Sequence, residues 1–232
     1  MNEIKYSTQC IDNKDIKEVK KVLKSQHLTQ GPVTVKFEKE LCKLTGGKYC
    51  SVVNSASSAL YLACNALNIK EGEIFWTVPN SFVATANCGI LNGLKIDFVD
   101  IDQKTYNICI ESLIRKLEIA KKKKKLPKLI IIVHFAGLPC DLKKINYLAK
   151  KYNFKIIEDA SHAVGSKYFN NNIGSSKWSD VTVFSFHPVK IITSGEGGAC
   201  ITNKKSIYNK IELVKNNGIT KNLKDFKFKN KG

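Results

Sequence analysis

The chain has 232 residues, 43% of them hydrophobic, which is enough for one sizeable core and makes one domain the default. Its 38 Lys and Arg against 20 Asp and Glu give a net charge of +18, spread along helix faces except for one run at Lys121 to Lys125. No helix-turn-helix, zinc-finger or RNA-binding aromatic pattern accompanies that charge, so the sequence argues against specific nucleic-acid binding and leaves a lysine-biased proteome or an anionic substrate as its explanation.

In chain order, Asn13 caps a predicted helix over Lys14 to Ser25 with Ile16, Val19 and Leu23 on its apolar face. Gly31-Pro32 opens a second helix with Val33, Phe37, Leu41 and Leu44 inward, stopped by Gly46-Gly47. Strands are expected at Cys50 to Val53, Ile74 to Val78, Ile96 to Val99, Leu129 to Val133, Phe154 to Ile157, Val181 to Phe186 and Ala199 to Thr202. Helices are expected between them at Ser57 to Leu67, Phe82 to Leu91, Ile110 to Lys121 and Leu142 to Tyr152. This alternation, with strands too apolar for a wet face, predicts an α/β fold with a mainly parallel seven-stranded sheet flanked by helices. The stretch from Ile219 to Gly232 closes no element, so residues 1–218 are read as one unit and 219–232 as a tail or the start of a further domain.

Eight cysteines at 10, 42, 50, 64, 88, 109, 140 and 200 are scattered, with no C-x-x-C pair or Cys/His cluster, so no metal site is expected. The opening Met1-Asn-Glu-Ile-Lys lacks an apolar core and no apolar run reaches membrane length, so a reduced cytoplasmic protein with no membrane contact is expected.

The most informative residue is Lys190, in Phe184-Ser-Phe-His-Pro-Val-Lys190, between an apolar strand and the Gly-rich turn Gly195-Glu-Gly-Gly198. Desolvation there lowers a lysine's pKa and makes its amine nucleophilic, whereas a lysine that reaches water does nothing. Its partner is Asp159, at the end of the strand Phe154-Lys-Ile-Ile-Glu-Asp159 and just before His162. Ligands of open α/β sheets collect at the carboxyl ends of strands, so both residues can face one cleft. A Schiff-base lysine and an aspartate for a pyridinium nitrogen are the protein's share of pyridoxal 5'-phosphate chemistry. Asn54-Ser55-Ala56-Ser57 reads as a small-residue turn into a helix, either a phosphate site with Ser57 as hydroxyl donor or an ordinary serine cap. Phe82 can stack on a cofactor ring or belong to the core, and Ser185 can add a phosphate contact.

Together these stretches resemble the DegT/DnrJ/EryC1/StrS family of sugar aminotransferases. The matching segments are Thr29-Gln30-Gly31-Pro32, Asn54 to Leu60, Ser81 to Thr85, Glu158 to Ala163 and Ser185 to Lys190, spread over nearly the whole chain. Within the family, His162 and Phe-His-Pro-Val-Lys are most similar to the pseudaminic acid branch, which moves the amino group of glutamate to C4 of a UDP-4-keto-6-deoxy-N-acetylhexosamine. The resemblance implies the large domain of a fold-type I transferase, pyridoxal 5'-phosphate as cofactor, a UDP-linked keto sugar and glutamate as substrates, and a homodimer. It implies Lys190 as the Schiff-base lysine and proton shuttle, Asp159 at the pyridine nitrogen, and Phe82 on the ring with His162 on its other side. It also implies Ala56, Ser57 and Ser185 at the phosphate, and Tyr6, Thr29 and Gln30 near the sugar nucleotide. Family members continue past this length into a smaller domain, so a truncated homologue is expected, and a cofactor-binding fragment without turnover is the rival reading. A related dehydratase carries histidine in place of the lysine, and Lys190 argues against that chemistry.

Overall fold

A computed structural model describes residues 7–219. Its elements run α1 Asn13–Leu23, α2 Pro32–Thr45, β1 Tyr49–Val53, α3 Ala56–Ala66, β2 Ile74–Thr77, α4 Ala84–Ile90, β3 Lys95–Phe98, α5 Ile110–Lys122 and β4 Leu129–Val133. Then follow α6 Leu142–Tyr152, β5 Lys155–Asp159, the short strands β6 Lys167–Tyr168 and β7 Asn171–Asn172, β8 Val181–Ser185, β9 Gly198–Thr202 and α7 Lys205–Lys215. Seven strands form one sheet in the order β1-β9-β8-β5-β4-β2-β3. Neighbours are parallel except that β9 is antiparallel to both β1 and β8, so the expected mainly parallel seven-stranded sheet is present.

The two faces follow from the period of two along each strand. Ile130, Ile132 and Ile156 pack with Leu113 and Leu117 of α5 and Ile145 and Leu148 of α6. Leu129, Ile131, Ile157, Val181 and Val183 point the other way, into a second cluster with Leu60 and Cys64 of α3, Cys88 of α4 and Ile207 and Ile211 of α7. Both faces are covered, which is why these strands read as continuous apolar runs. Among the described residues, no helix is long and apolar enough to cross a membrane.

Several boundaries differ from the sequence expectation. The cap of α1 is Asp12, not Asn13, because the Asp12 carboxylate accepts from the amides of Lys14 and Asp15 while the Asp15 carboxylate accepts from the Asp12 amide. The apolar stripe Ile16, Val19 and Leu23 lies exposed. In α2, Leu41 and Thr45 are buried, four residues apart on one face, but Val33 and Leu44 are exposed. Regular helix begins at Ala84 rather than Phe82, after a turn in which the Thr85 amide bonds the Phe82 carbonyl. The fifth strand extends to Asp159, and the eighth stops at Ser185. The hairpin β6–β7 and helix α7 were not anticipated.

Candidate active site

The register brings distant segments to one edge of the sheet. Val133 at the end of β4 lies opposite Asp159 at the end of β5, and Asp159 opposite Val183 in β8. Val53 and Ser185, at the ends of β1 and β8, both pair with Gly198, the first residue of β9. A cavity of about 820 Å3 opens there, and Ala56, Ser57, Phe82, Asp159, His162, Ser185 and Lys190 all line it. Thr29 and Gln30 instead line a neighbouring cavity of about 980 Å3, which shares Asn54 and Ser57 with the first. Tyr6 lies outside the described residues.

Lys190 sits in the turn that follows β8, half-buried, with its amide bonded to the His187 carbonyl. Its Nζ lies 2.7 Å from His162 Nε2. Burial pulls the amine's pKa below its ordinary value, and the Asp159 carboxylate pulls partly back. Burial and then the Lys190 charge lower the pKa of His162 as well. Whenever Lys190 is an ammonium it can only donate, so His162 Nε2 is then the acceptor and the ring is neutral with its proton on Nδ1. His187 is exposed and stays outside this pair, near Glu196.

Asp159 is 5% exposed. Its Oδ2 accepts from Thr85 Oγ1 at 2.7 Å, and its Oδ1 accepts from Ser161 Oγ at 2.6 Å and the Ser161 amide at 3.2 Å. Thr85 belongs to the quoted Ser81 to Thr85 stretch, but nothing local ties it to a carboxylate 74 positions away. Ser161 was legible, because an aspartate often bonds the backbone two residues on.

The phosphate-type turn is built by α3 and β9 together. The cap is Ser55, whose Oγ accepts from the Ser58 amide at 3.1 Å, so Ser57 stands inside the first turn and is exposed. The amides of Ala56 and Ser57 have no intrahelical acceptor by position and carry the positive end of the helix. Gly198 is what lets this turn lie on the sheet: a Cβ there would sit 2.4 Å from the Ser55 carbonyl carbon and 2.5 Å from the Ala56 nitrogen.

Behind the cavity, the wholly buried His134 ring accepts from the Cys140 amide at Nδ1 (3.1 Å), so its proton is on Nε2 and points at Glu158 Oε2, 2.8 Å away. Ser179 and Thr182 hydroxyls hold the other Glu158 oxygen. At the rim, Phe82 is 74% exposed beside the cavity, not core. Asn80 donates to the Tyr106 carbonyl at 2.8 Å, while its own buried Oδ1 has no partner among the described residues.

The model of the DegT/DnrJ/EryC1/StrS aminotransferase family matches residues 9–232. A Campylobacter jejuni (strain 81-176) UDP-4-amino-4,6-dideoxy-N-acetyl-beta-L-altrosamine transaminase is 44% identical over 218 residues, 94% of this chain and 56% of the relative. Among solved structures, a Helicobacter pylori aminotransferase involved in the biosynthesis of pseudoaminic acid superposes with a TM-score of 0.87 at 34% identity, over 96% of this chain and 58% of that one. A Streptococcus pneumoniae chain in its PLP form superposes with a TM-score of 0.80 at 27% identity, over 90% of this chain and 57% of that one. The chain thus spans a little over half the length of the relatives it matches. With a family model matching all but its first eight residues, the chain belongs to the DegT/DnrJ/EryC1/StrS aminotransferase family.

Proposed function

We propose that the chain carries the cofactor half of a pyridoxal 5'-phosphate-dependent sugar-nucleotide aminotransferase, moving the amino group of glutamate to C4 of a UDP-4-keto-6-deoxy-N-acetylhexosamine. The observation that carries this reading is the facing of Lys190 and Asp159 across one cavity at the carboxyl ends of β5 and β8, beside the start of α3. The residues fit the cofactor. A desolvated amine, a buried carboxylate, two first-turn amides and a backbone cradle that a Cβ at Gly198 would fill suit an aldehyde, a ring nitrogen and a phosphate in turn.

When bound, pyridoxal phosphate supplies the electron sink for exchanging an amino group between two carbons. This chain's residues do the rest. Lys190 Nζ would hold the cofactor and would serve as the group that moves the proton. His162 Nε2 accepts from that Nζ and keeps it aimed into the cavity. Asp159 would serve the ring nitrogen, Phe82 and His162 would hold the ring, and Ala56, Ser57 and Ser185 would take the phosphate. Thr29 and Gln30 line the adjoining cavity, where the sugar nucleotide can extend. The protein works as a homodimer in the cytoplasm.

The test adds pyridoxal phosphate to the purified 232-residue chain, reduces with borohydride and maps the modified peptide. Cofactor fixed on Lys190 is the expected outcome, and Lys190→Ala should lose it. Modification at another lysine sinks the assignment. Amino transfer is then followed by mass spectrometry with glutamate and the UDP-linked keto sugar. Transfer to another keto sugar in preference would overturn the substrate but not the cofactor site.

A further inference from the structure

Ser81, Thr85 and Asp159 form a chain of contacts whose proton directions are fixed by counting. Thr85 Oγ1 lies 2.7 Å from Asp159 Oδ2 and 2.7 Å from Ser81 Oγ. A threonine hydroxyl has one proton, and a carboxylate can only accept, so that proton goes to Asp159. Ser81 must therefore donate to Thr85. Ser81 lines the cavity and is part-buried, while Thr85 is 1% exposed. The chain thus runs from the cavity wall to one oxygen of the buried carboxylate, with every donor pointing inward.

We infer that Thr85, oriented by Ser81, is a positioning residue that fixes the rotation of the Asp159 carboxylate toward the ring nitrogen of the cofactor. The inference rests on the proposed cofactor site and adds residues that site did not include. Ser161 alone would pin Oδ1 and leave the carboxylate free to turn about that contact. Thr85 grips the other oxygen from a different element, and two grips from two directions leave one orientation. The same short segment carries Phe82 at the cavity mouth, so it sets both an edge and a face of the ring site. Its footing is steric: α4 lies close to β2 because residue 89 is glycine, where a Cβ would stand 2.4 Å from the Phe75 ring. A hydrogen bond to a charged group that is both buried and doubly held is the kind whose loss is felt most.

The experiment uses the full chain and pyridoxal phosphate as the probe. Thr85→Val keeps the shape and removes the donor, Thr85→Ser restores it, and Ser81→Ala removes only the orienting proton. Expected for Thr85→Val is a cofactor dissociation constant weakened roughly tenfold to hundredfold. The pH at which the bound ring nitrogen loses its proton, read by NMR on ring-nitrogen-labelled cofactor, should fall by about one unit. Thr85→Ser should return both values toward the parent, and Ser81→Ala should move them the same way by less. A purely structural threonine would lower the melting temperature and leave the ring-nitrogen titration unmoved, and that result overturns the inference. Should Thr85→Val fail to fold, an unmoved titration in Ser81→Ala overturns it equally. If the parent chain takes up no cofactor, the reading of the cavity falls and this inference with it. If the parent binds and Thr85→Val matches it, only the inference falls.

Discussion

Replacing Gly198 with alanine tests how the phosphate-type turn is held. The new Cβ would stand 2.4 Å from the Ser55 carbonyl carbon, where ordinary contact begins at 3.4 Å, so the turn or the strand must yield by about 1 Å. The neighbours are backbone atoms on both sides, and Gly198 is paired in the sheet with Val53 and Ser185, so no flexible side chain can absorb the displacement. Overpacking of this kind costs about 1–3 kcal/mol, and at about 2–4 °C per kcal/mol the melting temperature should drop by roughly 2–12 °C. The displaced part is the start of α3, whose free amides are the proposed phosphate donors. Binding of pyridoxal phosphate should therefore weaken more than binding of pyridoxal, which lacks the phosphate. Both are measured by titration, alongside thermal unfolding of the unliganded chain. Equal weakening of the two ligands would refute the link between Gly198 and the phosphate, and an unchanged melting temperature would refute the packing argument itself.

Three further outcomes are expected. Asp159→Asn removes the one charge that raises the Lys190 pKa, so burial acts alone and the amine loses its proton at lower pH than in the parent; acylation of Lys190 followed by mass spectrometry should begin at lower pH, and a shift upward contradicts the assignment. Gly89→Ala leaves every polar group in place yet pushes α4 from the Phe75 ring, so it should weaken cofactor binding in the direction of Thr85→Val; tight binding with α4 displaced would argue against that coupling. Glu158→Gln sets an amide nitrogen against either the His134 donor or the Ser179 and Thr182 hydroxyls, which should cost about 1–3 kcal/mol in denaturant unfolding, and an unchanged midpoint would show the network to be slack.

The strands were legible because both faces of the sheet are covered, so Leu129 to Val133 and Val181 to Phe184 announce themselves as apolar runs. Helix α7 carries a readable signal, Ile207, Ile211 and Val214 at helical spacing, but the lysines among them dilute it. The hairpin β6–β7 has two polar residues a side and no periodicity to read. Of the site, Lys190 and Asp159 stood out because each lies where an apolar strand ends, and a charge there is costly without a task. Thr85 and Gly198 did not, since what they do depends on atoms that meet only after folding. The cap of α1 falls at Asp12 rather than Asn13 because both residue types cap well, and the reciprocal side-chain bonds decide between them.

The position of β9 also bears on how the site comes into being. Among the described residues, strand β1 pairs only with β9, Tyr49 against Thr202, so the first strand made has no such partner until nearly all of the described chain has been synthesised. Closing so long a loop is slow, and until it closes the turn from Asn54 to Ser57 has no Gly198 to rest on. The edge that would take the phosphate is therefore among the last parts to form, whereas β4, β5 and β8 can pair earlier. Cofactor uptake during refolding should lag behind the burial of Trp76, which sits on the early side of the sheet.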